Sequence, residues 1–172
     1  MIIGLDISTS ITGVTVLRED GSVDYNFAID TRKYKNFFKK VEIVKEKLEK
    51  LVISPDAIYI EQSLQSFRSG FSSAKTLSTL SRFNGIISWI CYETWGLQPE
   101  YIAATSARKQ CGIKVPKGTK SKQVVVQYII DNVPDVLIEY TKHGNPKPYC
   151  YDKADSWVVA RAGWVQCQKQ KK

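Results

Sequence analysis

The sequence predicts an α/β domain in which a mixed β-sheet is flanked by helices. Three short apolar runs near the amino terminus have the length and alternation of β-strands, and the brief turns between them favour an antiparallel meander. Two later strand-like runs each follow a helical pattern, a connection that allows parallel pairing. The 172 residues contain neither an internal repeat nor a linker, so we expect one domain covering residues 1–172.

The first half of the chain supplies most of the predicted sheet. Strands are predicted for residues 2–7, 13–17 and 22–29. Residues 36–52 are predicted to be a helix, because apolar side chains recur there at three- and four-residue steps, and its lysines are expected to form a solvated face. Residues 57–62 have the character of a fourth strand, which ends in Glu61 and can lie parallel to the first.

The second half of the chain alternates between helices and loops. A polar loop is predicted for residues 63–73, the longest helix for 74–95 and a fifth strand for 100–104. Thr105 and Ser121 are predicted to cap two shorter helices, with a basic loop over residues 114–122 between them. A loop over residues 139–150, a helix over 152–167 and a frayed basic tail over 166–172 complete the prediction.

The net charge of +8 favours a polyanionic partner, most often nucleic acid and less often an acidic membrane surface. No apolar stretch approaches the roughly 20 residues that a membrane span requires. The amino-terminal apolar run is too short for a secretory signal and contains Asp6. The 4 cysteines are widely spaced and favour a reducing compartment. We therefore expect an intracellular, cytoplasmic protein with no membrane partner.

Four carboxylates occupy unusual positions in this pattern. Asp6 interrupts the apolar first strand, and Glu61 ends a strand that reaches the same sheet edge if the two are parallel. Asp152 and Asp155 share one face of the last helix, and we expect them in its amino-terminal turn. Each acid alone has an ordinary explanation as a turn, cap or helix-dipole residue. If the four converge, they need hard divalent cations, which prefer oxygen ligands.

Three segments that contain these acids resemble the acidic motifs of the RuvC family of Holliday junction resolvases. They are Gly4-Leu5-Asp6-Ile7-Ser8, Ile60-Glu61-Gln62 and Asp152-Lys153-Ala154-Asp155-Ser156. The resemblance runs from residue 2 to about residue 165 and includes the basic loop that begins at Lys114. It implies the RNase H-like fold, a mixed five-stranded sheet flanked by helices, and a viral or phage-type member is one alternative.

The resemblance also implies a metal-dependent endonuclease that resolves four-way DNA junctions by paired symmetric nicks. Asp6, Glu61, Asp152 and Asp155 would be the catalytic ligands of two Mg²⁺ ions, for which Mn²⁺ could substitute. The nucleic-acid-binding residues would be Gln62, Leu64, Phe67, Arg68, Lys75, Arg82, Lys114, Lys117, Lys120 and Lys122, with Arg108 and Lys109 as further flanking charges. Which of Leu64, Phe67 or Phe71 contacts the junction centre stays open.

The resemblance further implies a homodimer, with the 74–95 helix as its contact element, although the apolar stripe of that helix is equally explained as intrachain core. A broader nuclease for branched DNA, flaps or RNA and a non-catalytic junction binder are the alternatives. Residues 4–10 also resemble the first phosphate loop of actin-like ATPases and sugar kinases. That interpretation needs a second glycine-rich loop, which the sequence lacks, so we expect no nucleotide cofactor.

Overall fold

The computed structural model describes residues 1–62 and 73–170, and this part of the chain forms a mixed five-stranded sheet flanked by five helices. The strands are β1 (Ile2–Asp6), β2 (Ile11–Leu17), β3 (Val23–Asp30), β4 (Ala57–Glu61) and β5 (Glu100–Ile102). The helices are α1 (Phe37–Glu49), α2 (Ala74–Trp95), α3 (Ala104–Gln110), α4 (Ser121–Asn132) and α5 (Pro148–Gln170). The predicted fold class is therefore confirmed.

The strand order β3-β2-β1-β4-β5 places β1 at the centre of the sheet. β2 is antiparallel to both β1 and β3, as the predicted meander requires, whereas β4 is parallel to β1 and β5 is parallel to β4. Four strands consequently end at the same side of the sheet. We call this side the carboxyl edge and define it by the final strand residues Asp6, Asp30, Glu61 and Ile102.

Helices cover both faces of the sheet and divide the core into two layers. On one face, α3, α4 and α5 pack over a cluster that includes Ile2 and Tyr59. On the other face, α1 and α2 pack over a cluster that includes Ile3 and Leu5. The side chains of β1 thus alternate between two buried layers. This burial on both sides explains why its sequence is apolar without interruption until Asp6.

Helix α5 lies unusually close to the backbone of the sheet because glycine occupies the contact points. A Cβ atom on Gly4 would lie 2.3 Å from the backbone nitrogen of Ala160, and one on Gly13 would lie 2.0 Å from the carbonyl oxygen of Asp152. A Cβ atom on Gly163, within the helix, would lie 2.1 Å from the ring of Tyr59. These contacts fix the position of α5 across β1, β2 and β4.

The predicted boundaries of the last helix were wrong at both ends. α5 begins at Pro148, four residues before the predicted start, and proline is well tolerated at the first position of a helix. It continues through Gln170, so the predicted frayed tail is helical up to that residue. Side-chain contacts hold this end, because Trp164 donates a 2.9 Å hydrogen bond to the carbonyl oxygen of Glu19 and the Cys167 thiol lies 3.4 Å from the Tyr59 hydroxyl.

Two predicted helix caps were also wrong, one by two residues and the other by one residue. Helix α3 starts at Ala104 with Ala103 at the cap position, so that β5 ends at Ile102 and Thr105 is already helical. Helix α4 starts at Ser121 itself, and Lys120 is the cap residue. Neither cap position makes a side-chain hydrogen bond to the helix. Tertiary packing therefore sets these starts rather than the local capping chemistry on which the prediction relied.

Within the residues described, no helix is long and apolar enough to cross a membrane.

Candidate active site

The strand register brings the first two predicted acids together at the carboxyl edge. Leu5 of β1 is paired with Ile60 of β4, so the next residues of these two parallel strands, Asp6 and Glu61, are neighbours. Both strands are buried up to that point, and the carboxylates stand where the chain leaves the sheet. They therefore form a pair at the junction of protein interior and solvent.

Helix α5 adds the other two acids to this pair. The carbonyl of Asp152 lies against Gly13, and Gly13 is the β2 partner of Asp6, so the helix crosses the sheet above the end of β1. Asp155 follows three residues later and is only 8% exposed. The two aspartates are in the second and third turns, not the first turn as predicted. Interaction with the amino-terminal end of the helix dipole therefore does not explain why aspartate occupies these two positions.

Burial raises the pKa of every member of this carboxylate cluster, which we define as Asp6, Glu61, Asp152 and Asp155, and mutual repulsion raises it further for Asp6, Glu61 and Asp155. Burial raises the pKa of Asp6 well above its usual range, and the charges of Glu61 and Asp155 add to the effect. Burial, followed by the charge of Asp155, raises the pKa of Glu61 to about 7. Burial also raises the pKa of Asp155, to about 6, and that of Asp152. In the absence of a cation, full ionisation of the cluster is therefore unfavourable.

Lys122 supplies a positive charge inside the cluster. Its Nζ atom lies 3.4 Å from Oδ1 of Asp152 and 3.6 Å from Oδ2 of Asp155. Burial lowers the pKa of this amine, but the charges of Asp152, Asp155 and Asp6 outweigh burial, so that the pKa is raised overall. The ammonium group stabilises the two helix carboxylates.

The chemistry of the cluster fits hard divalent cations. Its donors are all carboxylate oxygens, the ligands that Mg²⁺ and Mn²⁺ prefer. Their raised pKa values indicate that Lys122 alone does not offset the cost of ionising all four acids. Among the described residues, no group of three histidine, cysteine, aspartate or glutamate side chains is already arranged around an ion position. A cation would therefore require small side-chain movements, including withdrawal of the Lys122 amine.

Two arginines flank the cluster on opposite sides. The charge of Arg108, in α3, lowers the pKa values of Glu61 and Asp155. The charge of Arg32, two residues beyond the end of β3, lowers the pKa of Asp152. Sequence analysis noted Arg108 but missed Arg32. The one available signal was its place just after a strand that ends at the carboxyl edge.

The remaining predicted nucleic-acid-binding residues are distributed unevenly. Gln62 directly follows Glu61, and its backbone N–H donates to the carbonyl of Ile102 at 2.9 Å. Lys114 lines a groove of about 270 Å³ together with Arg108 and Lys109. Exposed positions in the loop before α4 and at the start of α2 hold Lys117, Lys120 and Lys75.

Arg82 belongs to α2. It lies in the α1–α2 layer, on the sheet face opposite α5, with its guanidinium carbon 5.8 Å from the ring centre of Phe37. Leu64, Phe67, Arg68 and Phe71 lie outside the described residues.

Comparison with solved structures identifies proteins of the same fold. The chain matches Thermus thermophilus RuvC in complex with a Holliday junction substrate, with a TM-score of 0.68 and 12% identity over 98% of this chain and 95% of that chain. It matches another Thermus thermophilus RuvC structure with a TM-score of 0.64 and 13% identity, over 98% and 96%. The yeast mitochondrial Holliday junction resolvase Ydc2 matches with a TM-score of 0.58 and 15% identity, over 98% and 79%.

The likeness is one of structure rather than of sequence, since no protein-family model and no curated protein sequence matches the chain. It nevertheless extends over nearly the whole chain and most of each neighbour. The chain therefore has the fold of the RuvC-type Holliday junction resolvases that its three acidic motifs resemble.

Proposed function

We propose that this protein is a divalent-metal-dependent endonuclease that resolves four-way DNA junctions. The convergence of Asp6, Glu61, Asp152 and Asp155 at the carboxyl edge is the observation that carries the proposal. The solved neighbours support the choice of substrate, because they are named as Holliday junction resolvases and one of them is in complex with a junction. The net charge of +8 is consistent with a nucleic-acid partner.

The carboxylate cluster would hold two Mg²⁺ ions, with Mn²⁺ as a substitute. Such a pair supplies an activated water and stabilises the leaving oxygen in phosphodiester hydrolysis. The four acids must be ionised to serve as ligands, so loading the site near neutral pH would release the protons that burial favours on Asp6 and Glu61. The Lys122 amine, released from Asp152 and Asp155, would then be free to contact a substrate phosphate.

A homodimer would account for paired cleavage of a junction. One chain carries one carboxylate cluster, so two symmetric nicks require two copies, and a twofold dimer matches the symmetry of a four-way junction. An apolar groove of about 670 Å³ runs between α1 and α2, and Trp89 and Phe38 at its rim are 61% and 66% exposed. Exposed apolar patches of this kind are typical of protein interfaces. This groove supports α2 as the contact element.

The decisive experiment compares cleavage of a mobile four-way junction, a simple flap and a linear duplex, with Mg²⁺ and with EDTA. We expect symmetric paired nicks on the junction with Mg²⁺ alone. Asp6→Asn should reduce the rate at least 100-fold, because it removes a ligand charge from the cluster. Asp135→Asn is the matched control, since Asp135 is exposed and lies beyond α4, and it should cleave like the wild type.

Other results would assign a different function. Equal cutting of flap and junction would indicate a general branched-DNA nuclease with the same active site. Tight junction binding without cutting under any metal condition would indicate a non-catalytic junction binder. Cleavage that persists in EDTA or in Asp6→Asn would contradict the metal mechanism itself.

A further inference from the structure

A basic segment leaves the sheet beside the carboxylate cluster, on the side of β3. Strand β3 ends at Asp30 on the carboxyl edge, and the chain then continues into α1. We call residues 32–40 the basic segment, because five of its nine positions are cationic: Arg32, Lys33, Lys35, Lys39 and Lys40. The sequence assigned only Lys39 and Lys40, as part of the predicted 36–52 helix, to a solvated face, and it indicated no role for Arg32, Lys33 or Lys35.

Hydrogen bonds fix this segment relative to Asp6. The buried Thr31 donates its backbone N–H to the carbonyl of Ser10 at 2.9 Å and its hydroxyl to the carbonyl of Thr9 at 3.0 Å. From the other end of the segment, the Lys40 amine donates to the same Thr9 carbonyl at 2.5 Å. Thr9 and Ser10 belong to the β1–β2 turn that directly follows Asp6. The segment is therefore held at a defined position next to the cluster.

Two of the cations are available for a ligand. Arg32 makes a two-pronged ion pair with Asp30, at 3.0 Å from Nε and 2.6 Å from Nη2, and Lys39 is paired with Glu42. Among the described residues, Lys33 and Lys35 form no ion pair, and both are exposed. The Lys33 amine lies 5.0 Å from the centre of the Tyr34 ring, and this contact keeps the amine close to the basic segment.

The basic segment and the groove at Arg108 lie on opposite sides of the cluster. β3 and β5 are the two outermost strands, and β1, which carries Asp6, is the central one. Four inter-strand spacings of about 4.8 Å separate the outer strands, which gives about 19 Å. A DNA strand that advances 3.4 Å per nucleotide covers this distance in about five or six steps. Cations therefore follow the two outer strands on either side of an acidic centre, and the separation of these strands corresponds to about five or six nucleotides of one DNA strand.

We propose that the basic segment binds the DNA phosphate backbone through Lys33 and Lys35, so that DNA is held on both sides of the carboxylate cluster. The inference rests on the proposed function and extends it by assigning a second phosphate-binding surface on the β3 side. The acidic cluster repels the DNA phosphate backbone that it must approach. Cations on only one side would leave the DNA on the other side of the cluster without an attractive contact. Phosphate contacts of this kind position the DNA without reading its sequence.

The test compares two double variants with the same loss of charge, one just before α1 and one at the far end of α1. Lys33→Gln/Lys35→Gln removes the proposed contacts, whereas Lys47→Gln/Lys50→Gln removes two exposed lysines at the far end of α1, toward the opposite edge of the sheet. Binding of a four-way junction and of a linear duplex is measured against salt concentration, in the cleavage-deficient Asp6→Asn background. Lys33→Arg/Lys35→Arg serves as a charge-preserving rescue.

We expect Lys33→Gln/Lys35→Gln to weaken binding of both DNAs by roughly 3- to 30-fold and to reduce the slope of log affinity against log salt by about 1–2, one for each lost phosphate contact. Lys47→Gln/Lys50→Gln should change the affinity for either DNA by no more than about twofold and should leave the salt slope unchanged. Lys33→Arg/Lys35→Arg should restore wild-type affinity.

Equal effects of the two glutamine pairs would overturn the inference, since net charge alone would then explain them. Junction binding without junction cleavage in the Asp6-intact protein would reject the proposed nuclease while leaving the comparison of the two pairs decisive. Failure of the intact protein to bind either DNA would reject both proposals.

Discussion

At the scale of single residues, the carboxylate cluster is costly to ionise, and the proposed metal ions would offset that cost. Burial raises the pKa of Asp6 well above its usual range and that of Glu61 to about 7, so these two groups resist ionisation up to neutral pH in the absence of a cation. Asp155, with a pKa raised to about 6, is mostly ionised at pH 7. The single amine of Lys122 offsets part of this cost at Asp152 and Asp155. The free energy of unfolding of the protein should therefore report directly on the charge state of the site.

We predict that unfolding free energy measured in EDTA falls as pH rises from about 4.5 to about 7. Over this window the native state keeps a proton on Glu61 that the unfolded state has lost, so the native state binds more protons and loses stability with rising pH. The contribution of Glu61 is roughly 1–3 kcal/mol, at about 1.4 kcal/mol for each unit of pKa difference. Chemical denaturation across the pH series measures it.

Glu61→Gln should flatten this pH dependence, and Glu100→Gln provides the control, because Glu100 is exposed at the start of β5, away from the carboxyl edge. Adding Mg²⁺ to the wild type should restore stability above pH 7 if the cluster binds the ion. A pH profile in EDTA that is identical in wild type and Glu61→Gln would show that Glu61 ionises without penalty.

Sequence could identify Asp6 and Glu61 as site candidates because a charge that interrupts or ends a buried strand is costly and needs a reason. The two aspartates of α5 were recognisable by their spacing and by family resemblance. Arg32 was not, since it is one of 25 lysines and arginines and nothing local marks it. Only the strand order shows that the end of β3 lies at the same edge as Asp6.

At the scale of elements, the placement of α5 determines whether the cluster exists. Gly4 and Gly13 permit the helix backbone to approach the sheet, and Gly163 accommodates the Tyr59 ring. Sequence indicated an apolar helix packed on the sheet, but it could not show this close approach, because glycine in a strand is equally typical of a bulge or an edge. The early start at Pro148 was missed for a related reason. The first turn of α5 is polar and aromatic and lacks the regularly spaced apolar side chains that predict a helix.

We predict opposite effects on stability for two glycine-to-alanine changes in helix interiors. Gly163→Ala should lower the unfolding free energy by about 1–3 kcal/mol, because the added methyl group overlaps the buried Tyr59 ring. The methyl group of Gly85→Ala, in α2, meets no atom of the described residues within 4 Å, and this change should raise the unfolding free energy by about 0.5–1 kcal/mol through helix propensity. Urea unfolding of both variants measures the difference, and a stabilising Gly163→Ala would contradict close packing of α5.

At the scale of the whole molecule, the order of strands and helices was predictable, because each connection allows few arrangements. Short turns require antiparallel neighbours and a helix crossover permits parallel ones, so the mixed sheet followed from the pattern. The division of helices between the two faces was not predictable in the same way. The face on which each helix packs depends on whether its apolar side chains fit those of the sheet. This fit is seen only in the packed side chains of the two core layers.

We predict that the protein is a dimer at micromolar concentration and that Trp89→Glu makes it monomeric. Trp89 is 61% exposed at the apolar groove between α1 and α2, so a charge there opposes burial against a second copy. Val52→Glu is the control, because Val52 is 97% exposed and lies beyond the far end of α1. Sedimentation equilibrium measures the mass, and a variant that remains dimeric would place the interface elsewhere.

The direction of α5 determines where a tether or fluorophore can be attached without blocking the carboxylate cluster. β1 begins at the side of the sheet opposite the carboxyl edge, where the amine of Met1 pairs with Asp56. α5 runs from Asp152 beside Gly13 toward Gly163 beside Tyr59, so Gln170 also lies on that opposite side. A tether or fluorophore attached at either end of the described chain would leave the carboxylate cluster and both basic flanks facing solution. Immobilised protein should therefore capture DNA as freely as protein in solution.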